Sequence, residues 1–262
     1  MMRFMTYNIR TGGSGGRRSD IAAVITGQQP DVLALQELRG FDQSGGRLLR
    51  AFAVEIGMRP FLAGSWFGQP VAVLVRESAR VLAAAPLRRP FHHAAMRVVV
   101  ATDLGPLTVI GTHLWPYSPR RRRLEARWLA AHADPAAMVV LMGDLNSLDP
   151  GTDHTDQLRN LPLRFRSRHM VRGRIDTTVI ERLTDAGFVD LSRLRAGGRE
   201  YTAPTAGFDG AEFHRMRLDY IMATRAAADL AVSWRVVDDG DGPVDRASDH
   251  YPVLAELSVR PA

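Results

Sequence analysis

Short apolar runs alternate along the chain with segments in which apolar residues recur at helical spacing. The Val, Ile and Leu content of the short runs is typical of strands buried in packed sheets. We predict strands at Arg3–Ile9, Asp31–Leu38, Val71–Arg76, Arg97–Asp103, Leu107–Leu114, Met138–Asp144, Leu218–Ala223, Ala231–Val237 and Val253–Val259. The helical spacing predicts helices at Ser19–Gln28, Arg47–Ile56, Pro119–Ala133 and Ile175–Gly187. This alternation indicates an α/β protein.

Two of the predicted helices carry start signals. Ser19 is the expected N-cap of the first helix, and Ser118 with Pro119 in the first helical position starts the third. In the third helix the apolar stripe expected to face the core is formed by Leu124, Trp128 and Ala131. This arrangement would leave the neighbouring arginines in solvent.

Polar residues interrupt five of the predicted strands, in or at the end of each apolar run. These residues are Asn8, Glu37, His113, Asp144 and Asp219. Such side chains are poor strand formers and are costly to bury without partners. We therefore expect the strand ends to converge on one polar site.

Asp144 and Asn146 lie two residues apart and so share a face of their strand. Asp144 can accept a proton from an attacking water, and Asn146 can donate to a phosphate oxygen. Glu37 is a candidate ligand for Mg²⁺, which needs only one or two protein carboxylates. The alternatives are a turn-forming Asp-x-Asn pair and an ion pair between Glu37 and an arginine.

The last part of the chain adds a candidate dyad. Asp219 can accept a hydrogen bond from one ring nitrogen of His250, which leaves the other nitrogen for a substrate oxygen. Asp249 is a candidate metal contact. The alternative for the Ser248–His250 segment is turn chemistry before Pro252.

Together these segments resemble the endonuclease/exonuclease/phosphatase superfamily, which includes deoxyribonuclease I. The resemblance rests on Thr6–Asn8, Leu35–Glu37, Gly111–His113, Gly143–Asn146, Arg217–Tyr220 and Ser248–His250, which occur in that order. It implies a single domain over residues 1–262, folded as a four-layer α/β/β/α sandwich of two mixed sheets flanked by helices. It also implies a Mg²⁺- or Mn²⁺-dependent phosphoester hydrolase.

The resemblance implies a role for each site residue. Asn8 would orient Asp144, which would position or deprotonate the water, with Asn146 on the phosphate. His250, oriented by Asp219, would stabilise the phosphate or donate a proton to it. Glu37 would bind the metal, with Asp249 nearby.

The chain departs from the deoxyribonuclease I pattern in places. In that pattern a Glu pairs with the histidine matching His113, and the best-placed residue here is Gln69. Because Gln cannot raise the pKa of a histidine as a carboxylate does, His113 is either a general acid or a hydrogen-bonding group at the phosphate. Disulfides are excluded because the chain has no cysteine.

Charge bears on the substrate. The formal net charge is +6, and every basic residue is arginine, four of them consecutive in Arg120–Arg123. Arginine binds phosphate bidentately, although a GC-rich genome also explains the choice of arginine over lysine. We predict substrate contacts from Arg10, Arg39, Arg120 and Arg217. Candidate stacking aromatics are Trp66, Trp115 and Tyr117.

Three functions are compatible with these residues. We favour a phosphodiesterase acting on DNA or RNA. The second is a phosphodiesterase or phosphatase for a small molecule or lipid headgroup, and the third is a non-catalytic phosphate-binding module. An open basic groove favours the first, whereas a closed pocket favours the second. We expect a monomer without a membrane span, and the lack of cysteine and of a signal-peptide pattern favours the cytoplasm.

Overall fold

Two six-stranded sheets form the centre of the molecule. The computed structural model describes residues 1–194, 197–208, 211–238 and 242–262. In spatial order the first sheet contains β13 (Ala231–Val236), β14 (Val253–Leu257), β1 (Met2–Asn8), β2 (Val32–Gln36), β4 (Val71–Arg76) and β3 (Met58–Ala63). The second contains β11 (Phe188–Asp190), β12 (Asp219–Thr224), β8 (Met138–Asp144), β7 (Gly105–His113), β6 (Ala94–Thr102) and β5 (Val81–Pro86).

Both sheets are mixed. The β1–β2 and β7–β8 pairs are parallel and the other strand pairs are antiparallel. A separate two-stranded ribbon consists of β9 (Met170–Val171) and β10 (Arg174–Ile175).

The inner faces of the two sheets pack against each other in one continuous core. Gly111 on β7 shows how closely they approach. A Cβ atom there would lie 2.7 Å from Cγ2 of Val73 and 3.1 Å from Cβ of Ala34, both in the opposite sheet. The absence of a side chain at Gly111 therefore permits the close packing that holds the site-bearing strand ends together.

Helices cover the outer faces. The helices are α1 (Arg10–Gly13), α2 (Arg18–Gln28), α3 (Arg47–Glu55), α4 (Pro119–Ala130), α5 (Thr155–Arg159), α6 (Leu163–Arg166), α7 (Thr178–Asp185), α8 (Arg225–Ala228) and α9 (Val244–Ala247), with 3₁₀ turns at Ser44–Gly46, Ser167–His169 and Leu191–Leu194. Apolar residues of α2 and α3 join the core of the first sheet. Those of α4 and α7 pack on the outer face of the second sheet. The predicted four-layer sandwich is confirmed.

Five strands were not predicted: β3, β5 and β11, which all lie at sheet edges, and the two short strands of the β9–β10 ribbon. β3 contains Pro60, which is tolerated only where a strand has a free edge. β5 is mostly exposed and lacks the alternation that marks a half-buried strand. Among the described residues, no helix combines the length and the apolar character that crossing a membrane requires.

Details of two helices also differ from the predictions. Ser19 is wrong as an N-cap because α2 already begins at Arg18. On α4, Ser118 caps the helix as predicted, with its hydroxyl accepting from the amide of Arg121. The predicted core stripe of α4 is wrong, because Leu124 and Ala131 are exposed and Trp128 is half-buried. The buried face consists of Arg122, Glu125, Ala126 and Leu129.

Candidate active site

A cleft of about 490 Å³ lies where the ends of the central strands of both sheets meet. Asn8 ends β1, and Glu37 directly follows β2 in the first sheet. In the second sheet His113 ends β7, Asp144 ends β8, and Asp219 begins β12 in register with Asp144. The convergence expected from the sequence is therefore present.

Asn8 links the two sheets. Its buried side-chain amide donates to Oδ2 of Asp144 at 3.0 Å and to Oε1 of Glu37 at 3.3 Å. Its Oδ1 accepts from the backbone amide of Arg10 at 3.0 Å. One neutral side chain thus fixes the relative positions of two carboxylates without adding charge.

Glu37 adopts a left-handed backbone conformation (φ 59°) that turns the chain away from the sheet. Its Oε2 accepts from the amide of Thr11 at 2.9 Å and from Nε2 of Gln69 at 3.3 Å. Burial and the nearby Asp249 carboxylate raise the pKa of Glu37. Glu37 is thus held by neutral donors, so its charge remains to be balanced by another group.

Asp144 is held on both oxygens. Besides the bond from Asn8, its Oδ1 accepts from the amide of Asn146 at 2.8 Å. Asn146 also has a left-handed backbone (φ 49°), and its side-chain amide donates to the carbonyl of Leu114 at 3.1 Å. Burial and the neighbouring Asp219 raise the pKa of Asp144, which favours a group that can accept a proton near neutral pH.

His250 and Asp219 form the predicted dyad. Nδ1 of His250 lies 2.7 Å from Oδ2 of Asp219, and both side chains are buried. Burial by itself lowers the pKa of His250, but Asp219, Asp144 and Asp249 raise it well above its ordinary value. His250 is therefore a buried cation that is oriented by Asp219.

The carboxylates of the cleft fit a divalent cation. Burial raises the pKa values of both Glu37 and Asp144, and a second carboxylate near each of them raises these values further. Oδ1 of Asp219 is buried without a hydrogen-bond partner, and carboxylate oxygens of Asp144 and Asp219 lie within 4.8 Å of each other. Carboxylate oxygens are the preferred protein ligands of Mg²⁺ and Mn²⁺.

Asp249 lies beside this cluster. Its Oδ2 is 3.5 Å from Nε of Arg10, and its Oδ1 is 3.4 Å from Oγ of Ser248. The hydroxyl of Ser248 donates to the backbone carbonyl of Asn8 at 2.6 Å, which ties the segment before β14 to the end of β1. After burial, the charge of Asp249 contributes to the raised pKa of Glu37, and both carboxylates line the cleft.

His113 has different neighbours from those expected. Gln69 donates to Glu37, and because neither its Oε1 nor Nδ1 of His113 has a hydrogen-bond partner among the described residues, Gln69 does not pair with His113. Nε2 of His113 lies 3.4 Å from Oδ2 of Asp144, and its ring stacks on His93 with centroids 4.2 Å apart. Burial and the adjacent His93 lower the pKa of His113 well below its ordinary value. His113 is therefore a neutral hydrogen-bonding group in this environment.

One wall of the cleft was missed by sequence reasoning. His92 lies between Phe67 and Trp115, with ring centroids 4.1 Å and 4.0 Å away. Two consecutive histidines before a strand were the available signal, since the ring of His93 stacks on that of His113. Arg168, His169, Glu212 and Phe213 also line the cleft and carry no recognisable sequence pattern.

Two buried side chains of α4 hold this wall in place. Glu125 accepts from the backbone amides of His92 at 2.6 Å and Trp115 at 2.7 Å. Arg122 donates to the carbonyls of Trp115, Pro116 and Arg168. The helix that was predicted to expose its arginines therefore uses one of them as an internal support.

The predicted site residues divide into three groups. The cleft is lined by Arg10, Glu37, Arg39, His113, Asp144, Asn146, Asp249 and His250. Asn8 and Asp219 lie directly behind it and hold its carboxylate and histidine. Arg120 and Arg217 are not among the described lining residues. Arg120 is exposed at the start of α4, and Arg217 pairs with Asp190 at 2.7 Å and Asp149 at 3.5 Å.

Comparison with known proteins agrees with this geometry. Exodeoxyribonuclease III of Haemophilus influenzae is 27% identical, over 98% of this chain and 100% of the relative. An AP endonuclease from Archaeoglobus fulgidus has a similar fold (TM-score 0.74, 21% identity, 98% and 99% of the two chains). So does a mannosyl-6-phosphatase from Bacteroides thetaiotaomicron (TM-score 0.68, 15% identity, 98% and 99%). The model of the endonuclease/exonuclease/phosphatase family matches residues 5–250, and the chain belongs to this family of deoxyribonuclease I-like fold.

Proposed function

We propose that this protein is a divalent-metal-dependent phosphodiesterase that acts on nucleic acid. Hydrolysis of phosphoesters, without regard to the substrate, is the general chemistry of its family. The observation that carries the proposal is the convergence of carboxylates, amides and a charged histidine from both sheets on one cleft. Support for nucleic acid comes from the names of an exodeoxyribonuclease and an AP endonuclease among its relatives.

Each residue has a defined task in this proposal. Asp144, positioned by Asn8, accepts a proton from the water that attacks phosphorus. Asn146 and neutral His113 donate hydrogen bonds to phosphate oxygens, and cationic His250 stabilises or protonates the oxygen on which negative charge develops. The ester P–O bond breaks, and the leaving oxygen takes up a proton.

Glu37 and Asp249 would hold Mg²⁺ or Mn²⁺ together with the neighbouring site carboxylates, and the bound ion would supply positive charge to the phosphate. Arg10 and Arg39 line the cleft and can contact further phosphates. Arg217 is engaged with two carboxylates, so the proposed substrate site does not include it.

A small phosphoester is the second candidate substrate. The cleft is bounded by aromatic rings, as a pocket for a sugar or headgroup would be, and a similar fold occurs in a mannosyl-6-phosphatase. The two candidates differ in the size of the substrate that the cleft must admit.

A hydrolysis panel tests the proposal. Single-stranded and duplex DNA, RNA, sugar phosphates and a lipid phosphodiester are each incubated with Mg²⁺, Mn²⁺ or excess chelator. We expect hydrolysis of an oligonucleotide that is lost with chelator and restored by either ion. Asp144→Ala and His250→Ala should each lower kcat by at least about a hundredfold.

Asp229→Ala is a matched control, because Asp229 is exposed and follows α8, which adjoins the far end of β12. Full activity in excess chelator, or normal turnover by either catalytic variant, would contradict the mechanism. Hydrolysis of sugar phosphates alone would replace the proposed substrate with the second candidate.

A further inference from the structure

Arginine and aromatic side chains cover the molecular surface beside one end of the cleft. We call this area the arginine–aromatic surface; it consists of Trp115, Tyr117, Arg121, Arg164, Phe165 and Arg168. It draws on two chain segments, the β7–α4 connection with the first turn of α4, and α6 with the following 3₁₀ turn. The arginine run singled out in the sequence thus lies in a defined structural setting.

The guanidinium groups of this surface lie over the rings. Arg121 is 5.5 Å from the ring centroid of Trp115, and Arg168 is 5.0 Å from that of Tyr117. Arg164 and Arg168 both lie over Phe165, at 4.6 Å and 4.5 Å. A guanidinium placed over a ring keeps N–H donors around its edge, so these arginines are partly ordered while still able to bind phosphate.

A buried residue joins the two segments from below. Arg122 donates to the carbonyls of Trp115 at 2.9 Å and Pro116 at 3.3 Å on one segment, and to the carbonyl of Arg168 on the other. Arg122 is only 1% exposed. The two segments therefore form one preorganised surface instead of two independent loops.

The surface is continuous with the catalytic cleft. Tyr117 and Arg168 belong to both, since each also lines the cleft. Tyr117 is 60% exposed, so one planar ring is available to a ligand at the cleft mouth. Glu212 pairs with Arg168 at 2.8 Å, while Arg121 and Arg164 are exposed cations further out. A polyanion leaving the cleft would meet these positive charges next.

We propose that the arginine–aromatic surface binds a single-stranded segment of nucleic acid that flanks the scissile phosphate. The exposed ring of Tyr117 can stack on a base of any sequence, and the exposed Arg121 and Arg164 match the backbone phosphates. The buried ring of Phe165 supports Arg164 and Arg168 from below. Stacking requires bases that are not paired, so the surface fits a single strand better than an intact duplex. This inference rests on the proposed function and names the form of nucleic acid that the enzyme takes.

Binding of a fluorescein-labelled oligothymidylate in excess chelator, measured by anisotropy at several salt concentrations, tests the inference without turnover. Arg121→Gln/Arg164→Gln should weaken binding at least about tenfold at low salt. For this double variant, the slope of log affinity against log salt concentration should be shallower than the wild-type slope by about 1.4, which is about 0.7 for each lost phosphate contact. Tyr117→Ala should weaken binding about tenfold, and Tyr117→Phe should restore it.

The matched control is Arg225→Gln/Arg260→Gln, which removes the same charge from the opposite end of the sheets. Arg225 follows the far end of β12, and Arg260 pairs with Asp103 after β6. Thermal melting confirms that each variant is folded. An equal loss of affinity in the control, an unchanged slope in Arg121→Gln/Arg164→Gln, or equal affinity of the wild type for a blunt duplex overturns the inference.

Hydrolysis of the same oligonucleotide with Mg²⁺ is measured separately. If the wild type hydrolyses no oligonucleotide but shows the arginine-dependent binding, the proposed function fails and the surface is supported. If it hydrolyses the oligonucleotide and the surface variants bind like the wild type, the surface is refuted and the proposed function is unaffected.

Discussion

Among single residues, His250 shows how neighbouring charges overcome burial. Its ring is buried, which alone would lower the pKa of the imidazole. The short hydrogen bond to Asp219, at 2.7 Å, and the charges of Asp144 and Asp249 raise that pKa well above the ordinary value. The imidazole therefore stays protonated below this raised pKa and loses its proton only as the pH rises through it.

Asp219→Asn should remove the main source of this shift. The pKa of His250 is then expected to fall, because burial is no longer opposed by an adjacent carboxylate. If cationic His250 is needed, the alkaline limb of the kcat profile should move to lower pH, and kcat at neutral pH should drop at least about tenfold. Steady-state kinetics against pH measures both effects, with Asp229→Asn as the exposed control. An alkaline limb that stays in place would refute the role of the dyad.

Sequence reasoning reached some residues of the cleft and not others. Asn8, Asp144 and Asp219 stand out because polar side chains are rare at the ends of apolar strands. Gln69 lies in a loop, and its choice of Glu37 over His113 depends on how the chain packs in three dimensions. The stacking of His93 on His113 has the same origin, since it joins residues of neighbouring strands through tertiary structure.

At the level of elements, α4 shows two buried charged side chains, Arg122 and Glu125, overriding a hydrophobic pattern. The sequence predicted its start correctly because Ser118 and Pro119 act locally. Its buried face could not be predicted, because Arg122 and Glu125 are buried to bind backbone groups of other segments. Charged residues are rarely buried without such partners, so an apolar stripe remained the simpler expectation.

Glu125 should make stability depend on pH. Burial raises the pKa of its carboxyl to about 7, although the amides of His92 and Trp115 and the charge of Arg122 oppose the shift. Between pH about 4.5 and about 7 the folded state then binds more protons than the unfolded state, so stability falls as the pH rises. The unfolding free energy of the wild type minus that of Glu125→Gln should therefore fall by up to about 3 kcal/mol as the pH rises across that range.

Urea unfolding of both proteins between pH about 5 and about 8 measures this difference. Glu55→Gln, at an exposed position on α3, makes the same chemical change without burial and serves as control. A wild-type-minus-variant difference that is constant over the range, or that increases with pH, would contradict the assigned cause.

The whole molecule brings together charges that the sequence keeps far apart. Glu37 and Asp249 flank strands of the first sheet, while Asp144 and Asp219 belong to strands of the second. The family resemblance implied the sandwich, and polar residues at the strand ends, among them Glu37, Asp144 and Asp219, predicted the convergence. The edge strands β3 and β5 escaped prediction because an edge position relaxes the constraints that make a buried strand recognisable.

Packing these carboxylates at the junction of the sheets should link metal binding to global stability. Burial and mutual repulsion raise the pKa values of Glu37 and Asp144, so a bound cation should relieve an unfavourable concentration of charge. An ion that binds only the folded state adds about 2.7 kcal/mol when its concentration is a hundred times its Kd. We therefore expect Mg²⁺ to raise the unfolding free energy of the wild type by an amount of this order.

Glu37→Gln should reduce that increment, because it removes a carboxylate ligand while keeping a side chain of the same shape. Urea unfolding in Mg²⁺ and in chelator, at matched ionic strength, measures the increment for each protein. Glu55→Gln should keep the wild-type increment, since Glu55 is exposed on α3. Equal increments in the wild type and Glu37→Gln would place the ion elsewhere, because stabilisation through the junction of the sheets requires the carboxylate of Glu37.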